Sequence, residues 1–309
     1  MIQQRTIPPR AWAELLLLAF IWGGSFLMNR LALDGVGVFT TVAVRVAGAC
    51  MILWAVVLWR GLALPRGAGV WAAFLLMGVL NNAIPFTLIT WGQLTIPSGL
   101  AAILNASTAL IGVLVAAIAF RDEALTGRKL AGVGFGFAGV VVVIGWGALA
   151  RLDLTSLAQL ALIGASLSYA LAGVWARKRL GGLAPQVAAA GMLTGSSLIM
   201  LPTALWLEGW PALDHGAAVW GALGYLAVVA TAFAYLLYYR VLGMAGAGNL
   251  SLVTLLVAPV AIALGALVLG EALPLRAYVG FALIACGLAV IDGRILRLFR
   301  RRAWRKDSA

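Results

Sequence analysis

Acidic residues are scarce: ten in 309 positions, none in the middle of a long apolar run, and histidine and lysine are missing there too. That absence removes the buried, titrating carboxylate by which small multidrug exporters trade a cation for protons. It also removes the His/Asp/Glu constellation that an intramembrane enzyme, for instance one acting on lipid, would need. Histidine occurs once, at His215, with no ligand cluster around it. The two cysteines, Cys50 and Cys286, both lie in apolar runs, and their spacing suggests neither pairing nor metal binding. No metal site, cofactor or catalytic residue is therefore expected. Charge as a whole is low, at 10% of residues, where about 25% is usual for a soluble domain.

What fills the space is apolar: 63% of residues, with a mean hydropathy of +1.04. Runs of about 20 apolar residues read as membrane helices. Ten occur: Leu15–Leu33, Val36–Trp59, Val70–Trp91, Ser98–Phe120, Leu130–Leu149, Leu154–Ala176, Pro185–Leu207, Ala217–Tyr239, Gly248–Leu269 and Leu275–Leu296. Arg5 and Arg10 before the first run resemble a signal-peptide start, but no small-residue cleavage site follows. The first run is read as a retained helix.

The chain repeats itself. Glu123-Ala124-Leu125 with Arg128, Gly132 and Gly139 recurs as Glu271-Ala272-Leu273 with Arg276, Gly280 and Gly287, at a constant offset of 148 positions. Five spans per copy is an odd number, so the second copy enters the membrane in the opposite sense. The predicted fold is an all-α integral membrane protein of ten transmembrane helices in two inverted-topology repeats. The expected units are residues 1–149, residues 150–296 and a basic cytoplasmic tail, 297–309.

Orientation follows from lysine and arginine in short loops. With both termini cytoplasmic, all but four of the 22 basic residues face the cytoplasm or lie in the tail. The exceptions are Arg30, Arg151, Arg276 and Arg45, the last inside the second span. The net charge of +12 thus reports topology and anionic lipid rather than nucleic acid. An inner-membrane, multi-pass protein is expected, as a monomer or alternatively a dimer.

Several further stretches carry a resemblance: Ile21-Trp22-Gly23-Gly24-Ser25-Phe26, Arg45, Leu104-Asn105, Ser168-Tyr169-Ala170 and Ala234-Tyr235-Leu236-Leu237. With the Glu-Ala-Leu…Gly…Gly pair, they make the chain resemble the drug/metabolite transporter superfamily, and within it the EamA-type ten-helix exporters, over residues 11–296. It is also similar to the aromatic amino-acid exporters of that family. It departs from them where Asn105 is followed by Ala106-Ser107-Thr108 instead of an aromatic-rich stretch. The resemblance implies export of small metabolites, often amino acids, through a central cavity between the halves.

Polar residues inside apolar runs are the candidates for that cavity. Asn81 and Asn82 stand together in the third span with Pro85, which frees the Asn81 carbonyl from its helical bond, and Trp91 follows. Asn105, Ser107 and Thr108 form a patch in the fourth; Tyr169 and Tyr235 bring ring and hydroxyl from the sixth and eighth. Asn82 and Asn105 are expected at matching midplane depth, converging with both tyrosines on one cavity. Helix–helix hydrogen bonding is the plainer account of the same residues. Arg45 is read as a structural tie to carbonyls or the Asp34 region, rather than the lining of a wet vestibule. Glu123 and Glu271 are read as complementing the N-termini of the fifth and tenth helices, with gating as the other role. Gly134-Phe135-Gly136-Phe137-Ala138-Gly139 spells a dinucleotide fingerprint but follows no strand; its glycines, with Gly132, are read as a close-packing face.

The function expected is export of amino acids or similar metabolites by alternating access, one half rocking against the other, as a facilitator without a coupling ion. The partners are the small-molecule substrate and the bilayer. Alternatives are a multidrug exporter for apolar compounds, the lipid-acting enzyme, and a structural scaffold.

Overall fold

The computed structural model describes residues 8–121, 125–145, 154–212, 214–245 and 252–292. Among these every regular element is helical, in ten spans: α1 Pro9–Ala32, α2 Val38–Trp59, α3 Ala68–Gly92, α4 Ser98–Ala119, α5 Gly127–Ile144, α6 Leu154–Arg179, α7 Pro185–Leu207, α8 Ala217–Ala245, α9 Leu252–Leu269 and α10 Leu275–Asp292. The first eight are long and apolar enough to cross a membrane, and α9 and α10 are shorter apolar helices. The expected boundary at 149/150, the tail from 297 and Glu123 lie outside the described residues.

Helix ends follow local chemistry. Proline occupies the first turn of α1 and α7, where a missing N–H removes no helical bond. Gly61 and Gly209, 148 positions apart, follow α2 and α7 with φ of 60° and 76°. That left-handed conformation stops a helix at little cost only when the residue is glycine.

Eight helices close a ring in the order α9–α1–α8–α2–α7–α3–α6–α4, and α4 packs back on α9. Every neighbour pair joins the first five helices to the second five. Exchanging equivalents (α1 with α6, α2 with α7, α3 with α8, α4 with α9) maps the ring onto itself, as the pseudo-two-fold of an inverted repeat requires. The pair α5–α10 packs outside the ring.

The repeated glycines make that outer pair. A methyl group at Gly132 would lie 2.6 Å from the carbonyl oxygen of Gly287, and one at Gly139 the same distance from that of Gly280. Backbones this close are the mode by which small residues drive helix association in lipid, where burial against solvent contributes little. The expected close-packing role therefore holds for Gly132 and Gly139, and Gly136 packs on Leu110, whereas a methyl at Gly134 would meet nothing within 4 Å.

Both third helices of the repeats are wound wide. α3 carries a π-helical stretch at Val79–Ala83 and α8 one at Tyr225–Phe233. Shifted by 148, the first falls inside the second. In α3 the wide turn precedes Pro85: the Ile84 N–H reaches back to the Val79 carbonyl, and Ser168 of α6 donates to the Leu80 carbonyl over 2.6 Å. The carbonyl served by another helix is thus Leu80's, one residue before the one expected, because the π turn moves the register. Such single wide turns cluster at functional sites.

Candidate functional site

Two polar layers lie inside the ring, about one helical turn apart, on α2, α3, α7 and α8. In the first, the Tyr235 hydroxyl donates to Asn82 Oδ1 over 2.7 Å and accepts from Asn81 Nδ2 over 3.2 Å. Asn82 Nδ2 donates to Ser196 Oγ on α7 (3.2 Å), and Ser196 in turn donates to the Met192 carbonyl. Asn82 is fully buried. An amide in hydrocarbon without partners would be costly, and here the cluster answers both ends of the Asn82 amide.

The second layer is built on Arg45. Its Nε donates to Thr231 Oγ1 over 2.9 Å, and its guanidinium lies 3.8 Å from the centre of the Phe86 ring. Thr231 donates to the Leu226 carbonyl five residues back, a reach that the π winding of α8 provides. Phe86 is four residues after Asn82, and Tyr235 four after Thr231, so α3 and α8 each carry one member of both layers on one face. Asp34 pairs instead with Arg30, at 3.2 Å. The expected tie of Arg45 to the Asp34 region is thus corrected: an arginine eight residues into α2 is too far along the helix for that carboxylate.

The other anticipated residues are spread more widely. Tyr169 packs against both main apolar clusters of the core. Ser107 bonds Ser166 of α6 over 3.1 Å, a tie between two helices, and Thr108 donates to the Asn105 carbonyl within its own span. The buried Oδ1 of Asn105 has no hydrogen-bond partner and does not join the Asn82 cluster. Trp91 is 37% exposed, about 14 Å along α3 from Asn82. Thr231, Ser196 and Phe86 escaped the sequence reading. Ser196, in the small polar run Thr194-Gly195-Ser196-Ser197, had a visible signal; the other two had none.

A third polar region lies at the end of the ring that carries the α1–α2 turn. Asn29 donates to Gln93 Oε1 (3.2 Å), Gln93 donates to the Phe26 carbonyl (2.8 Å), and all are buried with Ser98. The Glu271 carboxylate accepts the backbone N–H groups of Ser98 (2.9 Å) and Gly99 (3.3 Å) at the start of α4. The sequence placed this acid on the tenth helix; the structure places it on α4, because the turn after α9 folds toward that helix. Glu208 treats α2 likewise, accepting from Phe39 (2.9 Å) and Thr40 (2.7 Å). Both carboxylates meet the positive pole of a helix. At the opposite end Glu14 pairs with Arg10 and Arg240.

Comparison with known proteins assigns this architecture. The profile of the EamA-like transporter family matches residues 11–145 and again 156–292. The chain belongs to the EamA-like transporter family. It is a multi-pass membrane transporter, not an enzyme. Among its relatives, the "Probable terminal-alkyne amino-acid exporter" of Streptantibioticus cattleyicolor is 28% identical over 290 residues, 92% of this chain and 94% of that one. The "Probable amino-acid metabolite efflux pump" of Escherichia coli is 27% identical over 296 residues, 89% and 92% of the two chains. An uncharacterized transporter of Bacillus subtilis, YvbV, is 25% identical over 285 residues, 90% of each. A crystal structure of 20% identity superposes with a TM-score of 0.66 over 95% of this chain and 98% of that one, a likeness of fold.

Proposed function

We propose that this EamA-like transporter exports small metabolites carrying an amino-acid backbone, from the cytoplasm across the inner membrane, with both termini inside. The observation that supports it most directly is the Asn81–Asn82–Tyr235–Ser196 cluster, a hydrogen-bonded polar group within a ring of apolar helices. A scaffold needs no such group at the centre of a ring. Two relatives are named for amino-acid export. In this reading the cluster is the floor of the substrate site, and the π turns of α3 and α8 are where its walls change register.

The test is flux of labelled amino acids out of proteoliposomes containing the pure protein, beside that of apolar drug-like cations. Saturable amino-acid flux above protein-free vesicles is expected. Flux of the cations alone would replace this reading with that of a multidrug exporter.

A further inference from the structure

We infer that Arg45 holds the carboxylate of the transported solute, an inference that rests on the transport reading and gives its site a chemical preference.

Arg45 stands without a counter-charge: among the described residues no carboxylate lies within ion-pair distance of it. It is 6% exposed. None of the ten acidic residues falls in the middle of a span. An arginine is not deprotonated in a protein, so its charge stays in the ring interior. A buried charge of this kind is retained where it has a partner or a task.

The guanidinium carries five N–H donors in a fixed fork. Nε is occupied by Thr231, and the Phe86 ring covers one face. The two Nη groups have no hydrogen-bond partner among the described residues. A planar fork with its outer edge free is the geometry that takes a carboxylate through two parallel hydrogen bonds. Thr231 and Phe86 fix its orientation before any solute arrives, which lowers the ordering cost of binding.

The layer below fits the same ligand. Asn81 and Tyr235 lie about one turn, roughly 6 Å, from the Thr231–Phe86 level. A solute whose carboxylate meets Arg45 therefore has its remaining polar groups at the level of the amide and phenol. With no acid in the layer, the amine of an amino acid meets neutral oxygens, so the carboxylate carries the selectivity.

The experiment compares an amino acid with its carboxamide, equal in shape but without the negative charge. The readouts are competition for flux in proteoliposomes and thermal stabilisation of the purified protein by each compound. In the wild type the acid should compete at least about tenfold better than the amide, as expected for charge-assisted hydrogen bonds, and should stabilise the fold. In Arg45→Gln that preference should vanish, the acid falling to the level of the amide; Arg45→Lys should keep part of it. Phe86→Leu, which leaves the charge in place, should keep the preference and weaken both compounds together. Equal competition by acid and amide in the wild type overturns the inference even if Arg45→Gln fails to fold, and leaves the transport reading intact. Stabilisation by the acid through Arg45 without flux upholds carboxylate binding at Arg45 and removes the proposed export of amino acids. Neither flux nor stabilisation removes both.

Discussion

The Tyr235 phenol and the Asn82 amide oxygen are 2.7 Å apart, and this bond joins the wide-turned third helix of one repeat to that of the other. Tyr235→Phe keeps the ring and deletes the donor, leaving a buried oxygen unsatisfied and the Asn81 amide with the Met192 sulfur as its remaining acceptor. That costs about 1–3 kcal/mol. A lower melting temperature and roughly tenfold slower flux are expected, with insertion unaffected. Unchanged flux would show that the cluster is packing alone.

Gly139→Val and Gly134→Ala separate a structural glycine from an incidental one. The valine drives its side chain into the Gly280 carbonyl, an overpacked contact costing about 1–3 kcal/mol or more. The alanine at 134 meets open space and gains about 0.5–1 kcal/mol of helix propensity. Thermal unfolding in detergent should move in opposite directions for the two.

Glu271→Gln and Glu208→Gln each weaken the carboxylate that caps a helix start in the other repeat. Each should cost roughly 0.5–1 kcal/mol. Because the two caps serve different helices, the double variant should cost the sum within about 0.5 kcal/mol. A far larger double effect would show that the caps act as one latch.

Topology is tested by single cysteines in a background lacking Cys50 and Cys286. Gly37 is unsuitable, since any side chain there collides with the Glu208 carboxylate. Asp34→Cys and Ala63→Cys flank α2 at exposed positions and should label from opposite faces, the first from outside. Labelling of both from one face would remove the inverted arrangement.

Transport should run down the solute gradient with no imposed pH or sodium gradient, because no span carries an acid at mid-depth. Strict dependence on either ion in proteoliposomes would require another coupling group, for which Glu14, buried at one oxygen, is the first to replace.

The spans, the repeat and the packing glycines were legible because each depends on spacing along one helix. Asn81, Asn82 and Tyr235 were legible as polar residues in apolar runs, and Asn82 with Tyr235 as neighbours, though not the bonds that join them. What could not be read was set by which helices neighbour in the ring. Arg45 meets Thr231 from 186 positions away, and Glu271 caps α4, 173 positions distant, rather than the helix that follows it. Asn82 and Asn105, expected at equal depth on one cavity, are not hydrogen-bonded to each other. Depth fixes one coordinate and the ring order another: α7 and Ser196 take up one side of Asn82, while Asn105 stands on α4, beyond α6.

The alternating ring has a mechanical corollary. No plane parts the two repeats, since every ring helix is wedged between two from the other copy. A division that respects the two-fold cuts only the α2–α7 and α4–α9 seams, leaving two jaws, α1-α2-α8-α9 and α3-α4-α6-α7, each drawn equally from both copies. The Asn82–Tyr235 bond and the Arg45–Phe86 contact both bridge these jaws, and so do Asn29–Gln93 and both glutamate caps at the α1–α2 end. Glu14–Arg240, at the far end, stays within one jaw. Among the described residues the jaws are thus joined at the α1–α2 end and at the waist, and Trp54 and Thr194 join them again across the α2–α7 seam over 2.8 Å. A solute that takes over the waist contacts therefore removes one part of the grip that keeps the jaws together.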